Sequence, residues 1–261
     1  MTTMEYADTA LPIMRELREI LVPQWGNARA RYKPGPMQSM VTDSDMVAER
    51  HVASRLHELY PDIVFVGEEG DGDRSARRFW LMDPIDGTVQ FVNGEPECTS
   101  MLALIEEGQV RFSVIYDFLN DAMYWAERGK GAYREHERLA ASRVADLKDA
   151  RVIGEVRREK EENLRLIEKL EGMTQFVRSK VAGWEFIQVA CGAYDARICF
   201  DPYGYDYDFA PGSLLVSEAG GTVVNMSGRG YDYRDTNFYA GSSHLARYFT
   251  SAMLFPTASI Q

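Results

Sequence analysis

The stretch that decides the fold is LMDPIDGTVQF, residues 81–91. An apolar run from Phe79 to Met82 ends on a carboxylate at Asp83. Pro84 follows, and a second carboxylate, Asp86, stands directly before Gly87-Thr88. A strand that ends on an acid and turns at a proline brings two carboxylates close enough to share cations. The Ile85 carbonyl lies between them and can face the same way. If a helix starts at Gly87-Thr88, its first backbone N–H groups make an anion site beside those cations. Alone, such a motif is more often a plain solvated turn, so its meaning depends on the rest of the chain.

Two more acid clusters stand where strands or turns end. Glu68-Glu69 follows the apolar run VFV, and Asp206 or Asp208 precedes the helical stretch FAPGSLLVSEAGG. Hard cations such as magnesium take carboxylate, carbonyl and water oxygens. Such ions beside an anion site meet the needs of phosphate-ester hydrolysis: they neutralise phosphoryl oxygens, activate water and stabilise the leaving oxygen. No His or Cys nucleophile is required.

Composition sets the bounds. The chain has 261 residues, enough for one large domain or two smaller ones around a sizeable core. Forty acids against 29 bases give a formal charge of -11, which disfavours a nonspecific nucleic-acid binder, since that would need a basic face. Cys98, Cys191 and Cys199 match no metal spacing, and the last two read as buried thiols in a reducing compartment. The four histidines form no HExxH pattern, so zinc lacks its nitrogen ligands. Charges spread through residues 3–21 exclude a secretory core or membrane span there, and a cytoplasmic protein is expected.

The first half reads as a helix ending before Pro23, a Pro/Gly loop, and a helix over VTDSDMVAERHVASRLHELYP capped by Asp43 or Ser44. Short strands and a meander follow, turning at Glu107-Gly108, at Leu119-Asn120-Asp121 and at Gly129-Lys130-Gly131. The second half alternates strand and helix. Two subdomains sharing a cleft are expected: residues 1–140 with most metal ligands, and residues 141–261 supplying the last one and substrate contacts.

The motifs together resemble a known family. GEE at Gly67 to Glu69, DPIDGT at Asp83 to Thr88, YDFAPGSLLVSEAGG from Tyr207 to Gly221 and VTDSD from Val41 to Asp45 are similar to the signatures of the inositol monophosphatase family. The resemblance spans nearly the whole chain. It implies an α+β fold, a five-layered αβαβα sandwich, and a magnesium-dependent, lithium-sensitive phosphomonoesterase with two or three ions. By the same resemblance Glu68, Asp83 and the Ile85 carbonyl hold one metal, and Asp83, Asp86 and Asp208 hold another. Asp208 is chosen over Asp206 because it lies ten residues before the Glu of SEAGG. Thr88, paired with Asp45, orients and helps deprotonate water, with Glu68 assisting through a weaker ion. Gly87 and Thr88 grip phosphate, and Asp201 contacts substrate hydroxyls. A homodimer is also implied.

Departures from the family pattern bear on substrate. Tyr207 replaces a tryptophan, and bulky Trp184 stands where small residues usually line the substrate approach. Trp184 and Glu185 are therefore candidate substrate contacts, although a packing role suits a tryptophan as well. Lys33 reads as a solvated lysine. The partner is a small phosphorylated metabolite, with no nucleic acid and no membrane. Inositol monophosphate comes first; histidinol phosphate, fructose 1,6-bisphosphate and 3'-phosphonucleotides use the same metal site. The reading of another class is a noncatalytic regulatory or partner-binding member.

Overall fold

The computed structural model describes residues 6–33, 40–70, 72–179 and 181–250. Helix α1 (Ala7–Leu21) forms because apolar residues return on one face, where Ala10, Ile13, Met14, Leu17 and Leu21 are buried. A small ladder, β1 (Ala30–Tyr32) with β2 (Met40–Thr42), leads into α2 (Asp43–Leu59). The cap of α2 is Thr42 rather than Asp43 or Ser44: its hydroxyl accepts from the Ser44 and Asp45 N–H groups while Asp45 accepts from the Thr42 N–H. This reciprocal box makes Asp45 a buried part of the helix start.

The larger sheet has seven strands in sequential order: β3 (Val64–Gly67), β4 (Arg78–Asp86), β5 (Thr99–Glu106), β6 (Gln109–Asp117), β7 (Ala122–Glu127), β8 (Gly131–Arg134) and β9 (Glu137–Arg138). Only the β3–β4 pair is parallel. The expected turns fall between β5 and β6, β6 and β7, and β7 and β8. Strand β4 is covered on both faces, which explains its unbroken apolar run. Trp80 and Met82 pack toward α1 and α2, while Phe79 and Leu81 belong to the opposite core. The turn expected at Pro84 is instead a bulge. Strand β4 continues to Asp86, and its register against β5 shifts between Asp83 and Asp86. Proline has no N–H to give the ladder, so it is tolerated at a bulge. The short α3 (Thr88–Asn93) follows, with Gly87 as its N-cap at φ 82.

The second sheet runs β11-β10-β12-β14-β13, from β10 (Arg151–Val156), β11 (Gln175–Arg178), β12 (Ala196–Phe200), β13 (Thr222–Asn225) and β14 (Phe238–Gly241). Its helices are α4 (Glu161–Met173), α5 (Ala182–Ala190), α6 (Asp206–Glu218) and α7 (Ala246–Phe249). Leu166, Ile167 and Leu170 of α4 and Phe249 of α7 pack on Val152, Ile198 and Tyr239. Phe186, Val189, Phe209, Leu214 and Leu215 of α5 and α6 lie in a core shared with the larger sheet. The layers are therefore α1/α2, seven-stranded sheet, α5/α6, five-stranded sheet, α4/α7, an α+β sandwich of five layers. Cys98 and Cys199 are buried, but Cys191, just past the end of α5, is exposed and corrects the expectation for that thiol.

Candidate active site

Three elements deliver acids to one point. The β4 bulge presents Asp83 and Asp86, and the first turn of α6 presents Asp208. One carboxylate oxygen from each lies within 4.8 Å of the others. Asp206, two residues earlier, leaves the site to ion-pair with Arg74, so the choice left open by local sequence falls to Asp208. Tyr205 N–H donates to Asp208 Oδ2 at 2.5 Å. Asp86 is held from α5: Gly183 N–H donates to Oδ2 at 2.6 Å and Ala182 N–H to Oδ1 at 3.2 Å. Gly183 lets this helix come close, because a Cβ there would lie 2.2 Å from Thr99 Oγ1 and 2.9 Å from Asp86 Oδ2.

These acids repel one another. Burial first, then Glu68, Asp208 and Asp86, holds the Asp83 carboxyl well above the usual carboxylate range. Asp208 is raised by burial and then by Asp86 and Glu68. Burial pushes Asp86 up to about 7 against the pull of the Gly183 and Ala182 N–H groups. Asp83 Oδ1 is buried with no hydrogen-bond partner. Three convergent carboxylates, one with an orphaned oxygen, are an oxygen-only donor set that fits a hard divalent cation, which would relieve the repulsion.

The acids floor a cavity of about 660 Å³. Its lining includes Glu68, Asp83, Ile85, Asp86, Gly87, Thr88 and Asp208, so seven residues expected from sequence meet there. Glu68 lines the cavity and is tied up by Lys33, whose ammonium lies 2.6 Å from Glu68 Oε1 and 2.5 Å from Glu69 Oε1. Burial alone would lower the Lys33 pKa, but the two glutamates outweigh it and raise it. Lys33 is therefore an ion-paired lysine bound to a cavity-lining glutamate rather than a solvated one.

The expected Thr88–Asp45 pair is not made. Thr88 Oγ1 donates to the Ile85 carbonyl at 3.0 Å, while Asp45 Oδ2 accepts from the Thr42 N–H and hydroxyl, each at 2.7 Å. Asp45 Oδ1 is buried and has no hydrogen-bond partner. Burial, with smaller contributions from Glu68 and Glu69, raises the Asp45 carboxyl to about 7 despite the Thr42 bonds.

Three expected substrate contacts lie elsewhere. Trp184 is partly buried and packs edge-on to Tyr194 against the central core. Glu185 is fully buried, 2.7 Å from Arg197 Nε. Asp201 accepts from Asn163 Nδ2 at 2.8 Å and pairs with Lys160 Nζ at 2.9 Å. None of the three lines the cavity. Beyond the residues expected from sequence, its lining includes Glu155, Arg157, Glu159, Lys160, Tyr203 and Tyr205, which the motifs did not mark. The cluster RREK at 157–160 was the only signal in sequence, and it reads as solvated charge until β10 aims it at the cavity.

The fold and site define a five-layered sandwich with a carboxylate cluster able to hold a metal ion at a cavity. The model for the inositol monophosphatase family matches residues 4–254, and the chain belongs to that family. It is 30% identical over 239 residues to a fructose-1,6-bisphosphatase/inositol-1-monophosphatase of Thermotoga maritima, covering 90% of each chain. It is 33% identical over 192 residues to the Nus factor SuhB of Xylella fastidiosa, covering 72% of this chain and 69% of that one. Among solved structures, the Thermotoga maritima IMPase TM1415 superposes with a TM-score of 0.85 at 27% identity, covering 95% of this chain and 96% of that one. The family is one of metal-dependent phosphatases that act on small phosphorylated compounds. No described helix is long and apolar enough to cross a membrane.

Proposed function

We propose that this protein is a magnesium-dependent phosphomonoesterase acting on a small hydroxylated phosphate ester, with inositol monophosphate as the first substrate. The observation that carries the reading is the convergence of Asp83, Asp86 and Asp208, with an orphaned Asp83 oxygen, beside Gly87-Thr88 in one cavity. The cavity volume suits a metabolite of this size. Asp83, Asp86, Asp208, Glu68 and the Ile85 carbonyl would hold two or three magnesium ions. When bound, these ions supply Lewis acidity at the phosphoryl and leaving oxygens. Gly87 and Thr88 place the phosphate by their position at the cavity floor. The Thr88 hydroxyl already donates to Ile85 O, so its lone pairs can orient a water. Asp45 neither lines the cavity nor bonds Thr88; its carboxyl, raised to about 7 with an unbonded oxygen, suits a proton acceptor if the Thr88 hydroxyl turns toward it.

A second substrate reading rests on Arg157 and Lys160. Both line the same cavity, and a second anionic group on the substrate would find cations there. This favours a bisphosphate or a phosphorylated nucleotide. The test is phosphate release from inositol monophosphate, histidinol phosphate, fructose 1,6-bisphosphate and a 3'-phosphonucleotide, each with magnesium, with chelator, and with magnesium plus lithium. Magnesium-dependent release supports the phosphatase reading. A preference for the doubly anionic esters that Arg157→Gln plus Lys160→Gln abolishes through KM would select the second substrate class. Magnesium binding with no release from any ester would instead support the noncatalytic partner-binding reading; the Xylella relative is named a Nus factor rather than a phosphatase.

A further inference from the structure

Arg197 is the most costly kind of side chain to bury, yet it is fully buried on β12, a central strand of the five-stranded sheet. Three rings surround it, with the guanidinium 4.5 Å from the centroid of Phe186, 5.2 Å from Phe209 and 5.4 Å from Phe238. Its counter-charges are Glu185 Oε2 at 2.7 Å and Glu155 Oε2 at 3.6 Å. These contacts act through charge: neither the Arg197 nitrogens nor the Glu185 oxygens have an aligned hydrogen-bond partner.

Both acids lead to the candidate site, by separate routes. Glu185 stands on the first turn of α5, the turn whose Ala182 and Gly183 N–H groups hold Asp86. Glu155 Oε1 accepts from Tyr203 N–H at 2.7 Å and Gly204 N–H at 3.3 Å. The next residue, Tyr205, donates its N–H to Asp208. A Cβ on Gly204 would lie 2.9 Å from Asp208 Oδ2, so this backbone packs directly against that carboxylate. Phe209, part of the ring cage, is the chain neighbour of Asp208.

We propose that Arg197 is a positioning residue for the acidic site: its buried cation anchors Glu185 and Glu155, and through them the backbone segments that aim Asp86 and Asp208. The proposal rests on the metal-dependent phosphatase reading. Two ligands arrive from different elements, one from β4 and one from α6, and their spacing must be held without a covalent tie. A single cation drawing on both supporting segments fixes that spacing from behind the site.

The test is calorimetric magnesium binding without substrate, together with the magnesium half-saturation of ester hydrolysis and Tm. Wild type, Arg197→Met, Arg197→Lys and the double variant Arg197→Met plus Glu185→Leu are compared. Arg197→Met should weaken magnesium binding by about tenfold or more, the scale seen when groups that orient metal ligands are lost. Arg197→Lys keeps the cation but shortens its reach and should fall between. The double variant removes the charge pair from the aromatic cage, so Tm should recover while magnesium binding stays weak. If Arg197→Met does not fold, Glu185→Gln carries the test and should weaken magnesium binding with its shape preserved. Wild-type magnesium affinity in the refolded double variant, or in Glu185→Gln, overturns the positioning role. A wild type that neither binds magnesium nor releases phosphate overturns the phosphatase reading instead.

Discussion

Gly183→Ala perturbs the site without removing a charged group. The added methyl would lie 2.2 Å from Thr99 Oγ1, 2.9 Å from Asp86 Oδ2 and 3.0 Å from Met101 Sδ. The first distance is far inside van der Waals contact, and Thr99 and Met101 are both buried on β5. Two relaxations are open. Thr99 can turn away and lose its 3.3 Å bond to Asp86, or α5 can retreat and draw its N–H off Asp86. Overpacking of this kind costs about 1–3 kcal/mol, and a lost hydrogen bond to a charged group about 1.5–3 kcal/mol. Both relaxations free Asp86 to drift, so magnesium affinity should fall about 10–100-fold. The assay is the magnesium dependence of phosphate release, with Tm measured alongside. Tm should drop by about 2–4 °C for each kcal/mol lost. The control is Gly172→Ala near the end of α4, where an added methyl meets nothing within 4 Å; it should leave the magnesium dependence near wild type and hold or slightly raise Tm. Unchanged magnesium dependence in Gly183→Ala, with a folded protein, would refute the claim that close approach of α5 sets the Asp86 position.

Asp83→Asn removes the acid shared by both proposed ions and should cost at least about a hundredfold in turnover at saturating magnesium; near-normal turnover sinks the assignment. Lys33→Met removes a cation that competes for Glu68, so the variant should bind magnesium more tightly by calorimetry. Its metal-free Tm should fall, because Glu68 and Glu69 then lack their shared counter-ion. The metal-free protein should also respond to pH. Burial lifts Asp45 and Asp86 to about 7 when folded, above the ordinary range they have when unfolded. The folded chain then holds more protons, so this stability is full below the unfolded value and is lost as pH rises through about 7. Tm in chelator should therefore fall between about pH 5 and pH 8, and saturating magnesium should flatten the curve; a chelator curve that rises with pH contradicts the burial of these acids.

Most of the fold was legible because its signals are local. The apolar periodicity of α1, the turns at Glu107-Gly108 and Gly129-Lys130-Gly131, and the alternation of strand and helix in the second half each lie within a short stretch of chain. The gathering of carboxylates was legible for a related reason: Asp83, Ile85 and Asp86 lie within four residues of chain, across the bulge that contains Pro84. The residues whose surroundings differ from the expectation are those whose partner is distant in sequence. Glu185 sits in a run that looks open to substrate, but Arg197 on another strand draws it into the core. Asp201 pairs with Lys160 across two elements, and Lys33 reaches Glu68 across 35 positions.

The sequence by itself determined that carboxylates would gather beside a glycine–threonine turn, and hence the class of chemistry. Only the tertiary structure decided what faces the ligand. Trp184, Glu185 and Asp201 lie outside the cavity, and Arg157, Lys160 and Tyr203 line it. The reason is physical. Backbone geometry and hydrophobic period act over a few residues and can be read along the chain. The side of a wall on which a charge ends depends on where its counter-charge is buried, and that is fixed only when the two sheets pack against α5 and α6.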